Sequence, residues 1–105
     1  MDGRKLPVDD PDHPLFTMAQ VTETLGVAAA VLRRWERAGL VRPERTAGGQ
    51  RRYSRREIDR LRHVAELVGE GMTTGGIRRV LDLEKRIDQL EDRLAAHDRP
   101  EPAPD

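Results

Sequence analysis

The sequence predicts a mainly α-helical chain: a winged helix-turn-helix with a short β-hairpin wing, followed by a long C-terminal coiled-coil helix. Three observations carry this. Two short helical patterns flank a turn at Gly26. Two β-favouring runs flank Gly48-Gly49 directly afterwards. From Val80 to Leu94, apolar residues recur at alternating spacings of three and four, the a/d repeat of a coiled coil.

Taken in order, residues 1–14 hold Pro7, Pro11 and Pro14 among acidic residues and read as a disordered arm. Leu15-Phe16-Thr17 reads as a brief strand. Thr17 then caps a helix, with Gln20 placed to complete a capping box. That helix sets Met18, Val21 and Leu25 on one face and stops at Gly26. A second helix runs from Ala28 to Gly39, so the pair forms a helix-turn-helix. Glu44-Arg45-Thr46 and Arg51-Arg52-Tyr53, joined through a Gly-Gly turn, read as a hairpin, the wing. Ser54 caps a third helix, with Glu57 three residues on. Its expected apolar stripe is Ile58, Leu61, Val64, Ala65 and Val68. Gly69 and Gly71 end it, and Thr73 or Thr74 opens a last helix reaching about His97.

The expected organisation is therefore an arm at 1–14, the winged domain at 15–72, a dimerisation helix at 73–98 and a disordered tail at 99–105. In the last helix Val80, Leu83, Ile87, Leu90 and Leu94 form the seam, and the remaining faces are charged. Such a helix has little of its own chain left to bury against, so a homodimer is expected. Only 36% of the 105 residues are hydrophobic, a thin supply for a self-sufficient core, which points the same way.

The net charge is zero but unevenly spread. Residues 31–62 carry eleven Arg against Glu36, Glu44, Glu57 and Asp59, a net +7, while both flanks are acidic. A cationic centre fits a phosphate-rich partner, double-stranded DNA. Arg preference over Lys can reflect coding bias, but bias does not cluster charge. Arg33, Arg34 and Arg37 on the second helix and Arg45, Arg51 and Arg52 on the wing are the candidate DNA contacts. Trp35 and Tyr53 can donate to phosphate through ring N–H and O–H, or simply pack in the core; both readings stay open. Arg55, Arg56, Arg60 and Arg62 read as a solvated face.

Other classes fare poorly. The absence of cysteine excludes disulfides and thiolate metal sites. His13, His63 and His97 are scattered, so no metal and no cofactor is expected. No apolar run approaches a membrane span and no signal-peptide core is present, so a cytoplasmic, nucleoid-associated location is expected. The glycine-rich stretch from Gly69 to Gly76 lacks the Gly-Lys-Ser/Thr ending of a phosphate loop and reads as a connector. Glu36 with Glu57 or Asp59 is a poor acid pair for catalysis, and salt bridging explains these groups better. No enzyme is expected.

Residues 31–43, V-L-R-R-W-E-R-A-G-L-V-R-P, followed by G-G-Q-R-R-Y-S at 48–54, resemble the MerR family of transcription regulators, and the resemblance extends over 15–80. The wing and the later G-I-R-R-V-L-D-L-E are most similar to its small heat-shock repressor branch. The resemblance implies that Arg33 meets DNA, that Trp35, Arg51 and Tyr53 touch the phosphate backbone, and that the helix from Thr74 pairs antiparallel in a dimer. It also implies an inverted-repeat operator, bent or untwisted between half-sites.

The chain departs from that pattern in three places. Ala28, Ala29, Ala30 and Val31 stand where the family carries hydroxyls, leaving the second helix without a good N-cap and with little to offer base edges. Gln50 replaces the usual wing tyrosine. Only about eight residues follow His97, so no small-molecule effector site is expected, and sensing falls to a protein co-regulator such as a chaperone, to temperature or to abundance. The leading reading is a dimeric repressor. An architectural, excisionase-like DNA-bending protein and a coiled-coil module recruiting a protein partner are the alternatives.

Overall fold

The computed structural model describes residues 9–98. Their elements run β1 (Phe16–Thr17), α1 (Met18–Leu25), α2 (Ala29–Arg37), β2 (Glu44–Arg45), β3 (Arg51–Tyr53), α3 (Arg55–Gly69) and α4 (Thr74–His97).

Local chemistry sets most boundaries. Thr17 accepts from the Gln20 amide while the Gln20 side chain accepts from the Thr17 amide, so both orphan donors at the start of α1 are satisfied. Gly26, at φ +68°, ends the helix in the left-handed region. Ser54 and Glu57 repeat the reciprocal cap at α3. The start of α2 has no such device, because Ala28 provides no side-chain acceptor. This helix is held by what it packs against rather than by its cap.

The wing is part of a three-stranded antiparallel sheet ordered β1-β3-β2. Glu44 pairs with Arg52 and Arg45 with Arg51, while on the other edge Phe16 pairs with Tyr53 and Thr17 with Arg52. The strand expected at 15–17 thus closes the hairpin onto the start of α1. The turn is tied by Thr46, whose amide donates to the Gln50 carbonyl at 2.8 Å and whose hydroxyl accepts from the Gln50 amide at 3.2 Å. Gly49 takes φ +82° there, a conformation that a side chain would strain.

The core joins every element except β2: Val21 from α1, Leu32 and Trp35 from α2, Leu40 and Val41 from the connection, Tyr53 from β3, Ile58, Leu61, Val64 and Leu67 from α3, and Ile77 and Leu81 from α4, with Phe16 of β1 partly buried against them. Leu67, not Val68, takes the inner place at the end of α3, and Val68 faces outward. Ile77 and Leu81 dock the first turns of α4, with Val80 half-buried beside them. From Leu83 onward the stripe leaves the core: Leu83, Ile87, Leu90 and Leu94 are each more than half exposed. Val80 is therefore partly used within the chain, and the free seam begins at Leu83.

Residues 9–14, expected as part of a disordered arm, lie against α3. The Arg56 amide donates to the Pro11 carbonyl at 2.9 Å, and the Arg56 guanidinium pairs with Asp12 at 2.6 Å. The cause is the open N-terminus of α3, whose amides need acceptors that the arm supplies. The rest of the expected arm and the tail at 99–105 lie outside the described residues.

Candidate nucleic-acid interface

Helical period places Leu32 and Trp35 on the inner face of α2 and Arg33, Arg34 and Arg37 on the outer face. All three arginines are exposed. Leu32 is fully buried and Trp35 is 6% exposed. The indole thus anchors the helix that presents the arginines, and its core reading is the one the packing supports.

One acidic residue ties the wing to this face. Glu36, on α2, receives two wing guanidiniums. Arg45 Nη2 donates to its Oε1 at 3.0 Å, and Arg51 Nε donates to its Oε2. Arg45 also donates to the Gly49 carbonyl at 3.0 Å, which ties the turn to the same cluster. Arg52, half-buried, donates to the Arg51 carbonyl at 3.1 Å. Near the start of α1, Thr17, Met18, Ala19, Gln50, Arg51 and Arg52 line an open groove of about 370 Å³.

Tyr53 departs from expectation. Its ring is fully buried and its hydroxyl is enclosed without a hydrogen-bond partner. The expected backbone contact is not presented at the surface here, because β1 pairs across Tyr53 and the core closes over the ring. Burial, followed by the charge of Glu36, raises its pKa above the ordinary phenol value, with Arg51 opposing.

Three further contacts join residues that the sequence keeps apart. Glu36 is local to Arg33, Arg34 and Arg37 in sequence, and nothing there ties it to Arg45 and Arg51. Arg78 on α4 donates through Nε, at 3.2 Å, and Nη2 to the carbonyl of Ala38, the C-terminal cap of α2. His63 on α3 bonds Glu84 on α4 at 2.9 Å and lies 3.7 Å from Glu66. A charged groove of about 440 Å³ lies where α3, α4 and the end of α2 meet, lined in part by Arg42, Glu57, Arg60, Asp82 and Lys85. Among the described residues, no group of three or more His, Cys, Asp or Glu side chains is placed to hold a metal ion, and no helix is long and apolar enough to cross a membrane.

Residues 16–84, which hold the helix-turn-helix, the wing, α3 and the first turns of α4, match the family described as MerR HTH family regulatory protein. The chain belongs to the MerR family.

Its MerR-family relatives sharpen this. It is 40% identical over 98 residues to heat shock protein HspR of Streptomyces coelicolor, a match covering 90% of this chain and 65% of HspR. It is 34% identical over 68 residues to the HTH-type transcriptional regulator GlnR of Bacillus cereus, covering 65% of this chain and 53% of GlnR. The chain therefore spans less than two thirds of the length of either. Among solved structures it is similar to HiNmlR, a MerR-family regulator lacking the sensor domain, bound to promoter DNA. That likeness has a TM-score of 0.64 at 27% identity and covers 78% of this chain and 64% of HiNmlR. GlnR is by name a transcriptional regulator, and HiNmlR a MerR-family regulator seen on promoter DNA.

Proposed function

We propose that this MerR-family regulator is a homodimeric repressor that grips an inverted-repeat operator with Arg33, Arg34 and Arg37 in the major groove and with Arg45, Arg51 and Arg52 along the adjacent backbone. The observation that carries the proposal is the outward arginine face of α2 with the wing guanidiniums held beside it by Glu36. Trp35 supports the face from within the core. Phosphate neutralisation supplies affinity. Base readout is sparse, because the exposed start of α2 offers Ala28 and Ala30, so DNA shape and half-site spacing supply much of the specificity.

The dimer forms through the α4 seam of Leu83, Ile87, Leu90 and Leu94, with Val80 at its base. Exposure of four large apolar residues in one stripe supports this. HspR is a heat shock protein by name, which favours a stress regulon and a chaperone as protein co-regulator. The regulator acts in the cytoplasm, on the nucleoid.

Genome-wide footprinting with a salt titration tests the reading. A few promoter sites, bound with steep salt dependence, are expected. Occupancy confined to recombination attachment sites would favour the architectural, DNA-bending role that the bare helix start also suits.

A further inference from the structure

Among the described residues, the hydroxyl of Tyr53 is the buried side-chain polar atom left without a hydrogen-bond partner. Buried hydroxyls are nearly always paired, and an orphan is a cost that phenylalanine would avoid in the same space. Its surroundings suggest why it is there. Tyr53 and Arg51 are two residues apart on β3, so both side chains leave the same face of the strand. From that face Arg51 crosses to Glu36 on α2. Burial first, then the charge of Glu36, holds the phenol's pKa above its ordinary value, with Arg51 opposing.

Both carboxylate oxygens of Glu36 are already engaged by the wing. Arg45 occupies one carboxylate oxygen and Arg51 the other. Both guanidiniums are assigned above to DNA phosphates. If they leave, Glu36, whose side chain is only 21% exposed, loses both partners while remaining close to a phosphate backbone. An unpaired, partly buried carboxylate is costly.

We infer that the Tyr53 hydroxyl is the reserve donor for Glu36, taking up its carboxylate when DNA draws Arg45 and Arg51 away. Tyr53 then assists DNA binding through Glu36 and is a positioning residue rather than a backbone contact. No proton is transferred: burial and the two neighbouring carboxylates keep the phenol protonated. The inference rests on the DNA-binding reading above.

A double-mutant cycle tests it. The unmodified chain, Tyr53→Phe, Glu36→Ala and the double variant are titrated against a mixed-sequence DNA duplex at low salt, each first shown to be folded by its far-ultraviolet spectrum and unfolding midpoint. Tyr53→Phe is expected to keep or raise the unfolding midpoint and to weaken DNA binding by about tenfold, the scale of one hydrogen bond to a charged group. In the Glu36→Ala background the same change is expected to alter affinity by no more than about twofold, the scatter of uncoupled sites. Equal losses in both backgrounds would overturn the inference, since Tyr53 would then act on DNA without Glu36. A lowered midpoint with unchanged DNA binding would overturn it too, by showing a hydroxyl already engaged in the free protein. Failure of the unmodified chain to bind the duplex would instead remove the regulator reading on which it rests.

Discussion

Arg78 on α4 closes the C-terminus of α2 by donating Nε and Nη2 to the Ala38 carbonyl. A cation at this end also complements the helix dipole. The helix carrying the proposed dimer seam is thereby tied to the helix carrying Arg33, Arg34 and Arg37. Arg78→Met, which keeps the aliphatic stem but removes the donors, should destabilise the chain by about 0.5–1.5 kcal/mol. It should also blunt discrimination between operators of different half-site spacing. Unfolding titrations and binding to a spacer series measure the two effects, and unchanged spacing preference would confine Arg78 to a capping role.

Leu90 is exposed and touches none of the chain's core, so its replacement isolates the seam. Leu90→Asp should leave the unfolding midpoint of dilute protein nearly unchanged while shifting sedimentation from dimer to monomer. Operator affinity should fall with it. A dimer that persists would move the interface away from α4.

Trp35 and Arg33 are near neighbours on α2 with opposite expected signatures. Trp35→Ala removes a buried indole and should cost about 3–5 kcal/mol of stability. Arg33→Ala should leave stability within about 0.5 kcal/mol, as for surface changes generally. It should weaken binding to every duplex and reduce the slope of log affinity against log salt by about 0.9, one phosphate's worth. Thermal unfolding and salt titrations of the two variants check this, and an unchanged salt slope for Arg33→Ala would take that residue off the phosphates.

His63 joins α3 to α4. Its hydrogen bond to Glu84 raises its pKa above 6.5, burial opposes, and the charges of Glu84 and Glu66 add to the rise. A group whose folded value is raised contributes stability fully below the ordinary value and loses it as pH climbs through the raised one. The unfolding midpoint should therefore fall as pH rises across that window, and His63→Gln should flatten the change. A midpoint that rises through the same window, or an equal slope in the variant, would place the titration elsewhere.

The features readable in the sequence are those set by neighbours along the chain. Thr17 with Gln20 and Ser54 with Glu57 identify helix starts because each cap closes within four residues. Gly26 marks a stop for the same reason. The apolar stripe from Leu83 to Leu94 follows from spacing alone. Features made by contacts across the chain were not readable. That Tyr53 is enclosed depends on β1 pairing with β3. That Leu67 rather than Val68 turns inward depends on where α1 and α4 meet α3, since either residue fits the helical period. Glu36 reads as one acid among arginines until folding brings Arg45 and Arg51 to it. Residues 9–14 resemble an arm by composition, yet Asp12 and Pro11 have partners 44 and 45 residues away at Arg56.

The most direct measurement is the affinity of the unmodified chain for operator DNA as a function of salt. Log affinity should fall linearly with log salt, with a slope of about −0.9 for each phosphate held, and the slope should shrink when Arg33 or Arg51 is replaced by Ala. Binding that is absent at moderate salt, or a slope that ignores both replacements, would contradict the assignment of this arginine face to DNA.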